Sequence, residues 1–215
     1  MILIGQYDSP FVRRVAVTLH RYDLPFERRV LSVFSDFDAM LAINPLGQVP
    51  VLELDDGERL FDSRAILDYL DSLVASDRRL VPANEPDRRK VLRIDAVATG
   101  LAEKLYERAY EFARRDPIKR DPSIIARVER QIDSALLWLE GLGPSPWLFG
   151  DQISRPDVTA AVAFIYMVEK HRPFFERRPS PVLETHCRHC EALPEFARAA
   201  YSVTEAEHSG WYPER

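Results

Sequence analysis

The order of apolar and polar positions divides this chain into two stretches of different character. Met1-Ile2-Leu3-Ile4 is an apolar run that ends at Gly5 and Gln6, the pattern of a short buried strand. Ser9 then stands where a helix N-cap belongs and Pro10 suits the first turn, while Val12, Val15, Ala16 and Leu19 fall on one face. Phe26 to Val30 is expected to form a second strand. Strand, helix and strand in such a short stretch make a βαβ unit, which requires parallel pairing. Leu31 to Asn44 is expected to hold a short helix and a loop. The turn Asn44-Pro45-Leu46-Gly47 leads into an apolar strand from Val49 to Leu54. Asp55-Asp56-Gly57-Glu58 is a hairpin signal, and Arg59-Leu60-Phe61 returns as a further strand. Asp62-Ser63 opens a helix with Ser63 read as its N-cap and Ile66, Leu67, Leu70 and Leu73 as its apolar stripe.

After Ala75 the pattern changes. Residues 77–85 are charged and proline-containing, as a linker is, and beyond them the periodicity is helical throughout. Helices are expected over 87–115, 124–139 and 156–171, with shorter ones around 182–192 and 195–200. The fold class is therefore an α/β domain with a mixed sheet (βαβ, then ββα) over residues 1–76, followed by an all-α domain over 86–215.

With 46% hydrophobic residues in 215, the chain can bury a core and is not a disordered one. A net charge of −5 lacks the concentrated basic footprint of a nucleic-acid binder. The arginine-containing run Arg172 to Arg178 reads as a solvated loop. The apolar start is too short for a secretion signal and no stretch is long enough to span a membrane. Two cysteines, Cys187 and Cys190, give no disulfide framework, so a reducing, cytoplasmic setting is expected. Cys187 and Cys190 with His186 or His189 would offer zinc its donor types, but no second Cys pair exists and no metal is expected.

Three places in the first half carry candidate chemistry. A cis bond at Val49-Pro50 would turn the Val49 N–H and C=O toward a ligand that pairs like a strand; a trans proline opening a strand is the ordinary alternative. Asp62-Ser63 before a helix offers a carboxylate for an ammonium and open N–H groups for an anion, or is simply a cap. Ser9 lies at the positive end of the first helix, again as a cap or as a functional hydroxyl, with Tyr7 as its rival.

Taken together, the segments Tyr7-Asp8-Ser9-Pro10-Phe11-Val12-Arg13, Asn44 through Leu52 and Phe61 through Leu70 resemble the cytosolic glutathione transferase family in order and spacing. Leu148-Phe149-Gly150-Asp151, with Ser154 and Asp157, is similar to that family's helical-domain signature, and Ser154 to Asp157 also approximates a capping box. The resemblance covers nearly the whole chain and is nearest in pattern to bacterial, serine-type members. It implies a thioredoxin-like first domain with Pro50 as the family's cis-proline. It implies that the Val49 backbone pairs with the cysteinyl unit of glutathione, that Asp62 and Ser63 hold the γ-glutamyl head group, and that Gln48 assists at the glycyl end. Ser9 would donate a hydrogen bond to the thiolate sulfur.

The implied activity is glutathione S-transfer to a small electrophile, with peroxidase, isomerase or dehalogenase chemistry as variants and glutathione as co-substrate. The resemblance also implies a homodimer. Phe11, Tyr106, Tyr110 and Arg114 are candidate walls for the second substrate, with core or dimer contacts as the alternative. No cysteine stands at the strand-helix junction, where Asp8-Ser9-Pro10-Phe11 is found, so mixed-disulfide chemistry is not expected. The alternative function is a non-catalytic glutathione-binding or regulatory protein of the same fold.

Overall fold

The computed structural model of the chain describes residues 1–208. Four short strands carry the first half: β1 (Ile2–Ile4), β2 (Glu27–Arg29), β3 (Val51–Glu53) and β4 (Arg59–Leu60), in the spatial order β2-β1-β3-β4. β1 pairs parallel with β2, and antiparallel with β3, placing Leu3 opposite Leu52 and Ile4 opposite Val51. β3 and β4 close an antiparallel hairpin through the Asp55–Glu58 turn. This is the mixed sheet that the βαβ-then-ββα pattern predicts.

Helix α1 (Pro10–Arg21) makes the crossover between the parallel strands, and α3 (Ser63–Ser72) follows β4 and packs against α1. On that side Val12, Val15, Leu19, Ile66, Leu67 and Leu70 are all fully buried. A second cluster of Ile4, Met40 and Val51 holds the short α2 (Phe37–Leu41), with Ile2, Leu31, Ile43 and Val49 packed around it.

The helical half contains α4 (Asp87–Ala113), α5 (Pro122–Glu140), α6 (Arg155–Lys170), α7 (Arg172–Phe175) and α8 (Pro181–Glu191). α6 packs on α4 and α8, and α5 packs on α4. Its start is held by Asp157, which is buried and accepts from the Ser154 N–H and hydroxyl and from the Leu148 N–H, each at 2.7 Å. The capping box thus ties the Leu148-to-Ser154 loop to the helix it precedes.

Two expectations are corrected. The arginine run is not a solvated loop: residues 172–175 form α7, Phe174 is fully buried, and Arg178 lies 3.4 Å over its ring while pairing with Asp133. Pro173 in the first helical turn and the buried aromatic explain why. The last segment also differs from its assignment to the helical domain. Residues Leu193 to His208, with α9 (Pro194–Arg198) and α10 (Val203–His208), form one compact unit with residues 1–79, and Leu80–Ala192 form the other. Phe196 is fully buried, Arg13 donates from Nε to the Ala199 carbonyl at 2.6 Å, and Arg21 pairs with Glu195 at 2.8 Å. The buried face of α1 is completed by α9. Residues 209–215 of the domain assigned to 86–215 lie outside the described residues.

Candidate functional site

The site grows from the C-terminal end of β1. Gly5 has φ +134°, and a Cβ there would stand 2.5 Å from Val12 Cγ2 and 3.0 Å from Val49 Cβ. Only a residue without a side chain lets the strand end, α1 and the Val49 segment close together at this point. Ser9 follows as the N-cap of α1: its backbone is extended, and its Oγ accepts weakly from the Val12 N–H at 3.4 Å. Ser9 is half-buried.

The Val49–Pro50 peptide is cis, with Val49 half-buried, Pro50 buried and Gln48 exposed. The loop before it is held by a residue the sequence marks only as part of a turn. Asn44, buried, donates from Nδ2 to the Gln48 carbonyl at 2.8 Å and accepts from the Leu46 N–H at 3.0 Å. Gly47 takes φ +60°, where a Cβ would come within 2.6 Å of the Phe37 ring.

At the third segment the cap assignment is corrected. Asp62, not Ser63, is the N-cap of α3: its backbone is extended and Oδ1 accepts from the Arg64 N–H at 2.7 Å. Ser63 is the first helical residue, as its helical neighbours require, and it is buried. The Phe61–Asp62 peptide is also cis. The Asp62 side chain is largely exposed, with Oδ2 3.4 Å from Arg64 Nη1.

Ser63 is tied to α1 by Arg14, a residue 1% exposed, whose guanidinium donates to Ser63 Oγ from Nη2 at 2.7 Å and from Nε at 3.2 Å. Ser9 and Arg14 thus hang on one helix, Val49 meets that helix through Gly5, and Ser63 meets it through Arg14. Sequence reasoning missed Arg14. The signal was there: Arg13 and Arg14 sit among Val12, Val15, Ala16 and Val17, a helix with almost no polar face to expose them.

Tyr7, the rival hydroxyl, is buried beneath Arg28, whose guanidinium lies 3.4 Å from its ring centroid. Burial raises its phenol above the ordinary value; the Arg28 charge opposes this and Glu205 adds to it. Phe11 is half-buried, with the Arg14 guanidinium 6.0 Å from its ring. In the helical unit, Tyr106 and Tyr110 lie on the exposed side of α4 with rings 6.3 Å apart, and Arg114 caps the helix end. Burial, then Tyr110, raises the Tyr106 phenol, against the Arg114 charge.

Cys187 and Cys190 are buried on α8, and Cys190 Sγ lies 3.7 Å from His186 Nε2. Burial pushes the Cys187 thiol well up. Among the described residues no group of three or more His, Cys, Asp or Glu stands together as metal ligands would, and no helix is long and apolar enough to cross a membrane.

Comparison with known proteins agrees with this fold. Residues 3–78 match the model of the glutathione S-transferase N-terminal domain. An uncharacterized GST-like protein of Escherichia coli, YibF, is 29% identical over 167 residues, covering 78% of this chain and 82% of that protein. A glutathione S-transferase of Hyoscyamus muticus is 28% identical, covering 93% and 97%. Among solved structures, a glutathione transferase family member from Pseudomonas fluorescens with bound glutathione superposes with a TM-score of 0.84 at 27% identity, covering 94% of this chain and 99% of that one. A two-part fold with a thioredoxin-like sheet and a glutathione S-transferase N-terminal domain defines the class. Residues 3–78 carry the glutathione S-transferase N-terminal domain, and the chain is similar along most of its length to glutathione S-transferases.

Proposed function

We propose that this protein is a serine-type glutathione transferase, in which Ser9 stabilises the glutathione thiolate for attack on a small electrophile. The observation that carries this reading is the state of the two hydroxyls near the end of β1. Ser9 is half-buried at the first turn of α1, and among the described residues its Oγ accepts one weak bond, so its hydroxyl proton can be turned to a ligand. Tyr7 is buried under Arg28.

A thiol with the reference pKa of about 8.5 is only slightly ionised at neutral pH, and lowering it by two units takes about 2.7 kcal/mol. A hydrogen bond to a charged sulfur contributes about 1.5–3 kcal/mol, and the helix N-terminus about 0.3–1 kcal/mol more. These two sources suffice without a general base. Val49 beside Pro50 would pair with the cysteinyl backbone, Gln48 would reach the glycyl end, and Asp62 with the first turn of α3 at Ser63 would take the γ-glutamyl ammonium and carboxylate. The glutathione bound in the Pseudomonas fluorescens relative supports this choice of ligand. Phe11, Tyr106, Tyr110 and Arg114 are proposed as second-substrate contacts, and the assembly as a homodimer in the cytoplasm.

Calorimetric titration with glutathione tests the reading: a single site at sub-millimolar to millimolar affinity is expected. Lack of binding at several millimolar would remove it. Binding without turnover of any of a panel of haloaromatic, enal and hydroperoxide electrophiles would leave the ligand and remove the enzyme.

A further inference from the structure

The turn that delivers Ser9 is not held by its own neighbours alone. Glu205, on α10 near the other end of the chain, meets it at successive residues. The Tyr7 N–H donates to Glu205 Oε2 at 2.6 Å, and Gln6 Nε2 donates to the Glu205 carbonyl at 2.6 Å. The Gln6 carbonyl in turn accepts from the Ser9 N–H at 3.1 Å. Arg28 locks the arrangement from β2, with Nη2 2.9 and 3.1 Å from the two Glu205 oxygens and its guanidinium over the Tyr7 ring. Glu205 is mostly shielded, its side chain 17% exposed.

We propose that Glu205, with Arg28, is a positioning residue that sets where the Ser9 hydroxyl stands at the thiolate site. Deepening the transferase reading, this inference rests on it for its catalytic consequence but not for its structural one. The logic is that of a short lever. Ser9 is two residues beyond Tyr7, and the Ser9-to-Gln6 bond closes the backbone turn that carries both. Without the Glu205 carboxylate the Tyr7 N–H loses its charged acceptor and Arg28 loses its partner, while the Gln6 bond to the backbone carbonyl of residue 205 remains. The turn then gains freedom while the β1 pairing and α1 packing, which lie outside it, persist. A hydroxyl displaced by a fraction of an ångström still caps a helix but donates poorly to a sulfur, since hydrogen bonds weaken steeply with angle. The affected quantity is therefore thiolate stabilisation, not glutathione capture, whose other contacts are assigned to the Val49 and Asp62–Ser63 segments.

The test compares wild type with Glu205→Ala, Glu205→Gln and the exposed control Glu207→Ala. In Glu205→Ala the pH midpoint of kcat/KM for conjugation is expected to rise by about one unit, a tenfold loss of thiolate at neutral pH, with the KM for glutathione within about twofold. Glu205→Gln keeps an acceptor for the Tyr7 N–H, so it should restore most of the midpoint, and Glu207→Ala should match wild type. Hydrogen exchange of the segment from Gln6 to Ser9 in the unliganded protein should quicken about tenfold in Glu205→Ala, a readout that does not need glutathione. An unchanged midpoint together with unchanged exchange would overturn the proposal. So would a rise in KM alone, which would make Glu205 a binding or merely structural residue. If wild type itself binds no glutathione, the transferase reading falls while the exchange measurement still decides whether Glu205 holds the turn.

Discussion

Arg14 Nη2 stands 2.7 Å from Ser63 Oγ, a buried bond between the first helix and the first residue of the third. With Nε at 3.2 Å on the same oxygen, the guanidinium fills both acceptor positions of the hydroxyl and leaves its proton to donate. A buried cation behind the first turn of α3 favours an anionic partner at that spot, in line with a γ-glutamyl carboxylate.

Replacing Arg14 should therefore act on binding before chemistry. Arg14→Lys loses the planar pair of donors, and the KM for glutathione is expected to rise about tenfold, the worth of about 1.4 kcal/mol, with kcat nearly unchanged. Steady-state kinetics at fixed electrophile check this. An equal loss in kcat and kcat/KM would mean that the residue acts in the transition state instead.

Ser9→Ala should do the reverse. Losing a bond of about 1.5–3 kcal/mol to the sulfur lowers kcat/KM about 10- to 150-fold near neutral pH. Affinity for glutathione measured by calorimetry should barely move. The cap bond lost is long, so the melting temperature should fall only slightly.

Tyr7→Phe should keep turnover within a few-fold. The phenol holds its proton more tightly folded than unfolded, mainly because it is buried. Its contribution to stability is thus complete below the ordinary tyrosine value and is lost as pH rises beyond it. Ultraviolet difference titration of wild type against Tyr7→Phe should show this buried tyrosine ionising above the ordinary tyrosine value. Tyrosinate appearing at neutral pH would make Tyr7 the thiol's partner and displace Ser9.

Gly5→Ala should destabilise the protein by about 3 kcal/mol, combining a strained φ with overpacking. The new methyl would meet Val12 and Val49 at 2.5 and 3.0 Å. Denaturant unfolding measures the loss, and glutathione affinity should drop with it because the Val49 segment must shift.

Asp157→Ala should cost the helical unit about 3 kcal/mol, since it strands the buried N–H groups of Leu148 and Ser154. Asp157→Asn, which retains an acceptor oxygen, should cost less. Both are read from chemical denaturation, and equal losses would show that the charge rather than the geometry holds the loop.

Periodicity alone determined the strands and the long helices of this protein, though not the short α7. The run Met1 to Ile4, the stripe of Val12, Val15 and Leu19, and the helical pattern after residue 86 each record a local preference for burying one face, and such preferences are written in neighbouring residues. The motif order also put Ser9, Val49-Pro50 and Asp62-Ser63 forward as one candidate site. The tertiary structure decided what ties them together. Arg14 on Ser63, Asn44 on the Gln48 carbonyl and Glu205 on the Tyr7 amide join residues that sequence spacing does not relate, and Glu205 does so across 198 positions. A hydrogen bond is specified by the meeting of two groups in space, and a linear pattern records only the face each element turns inward. The return of the last segment to the first domain follows the same rule, because the cover for the buried side of α1 arrives from the far end of the chain.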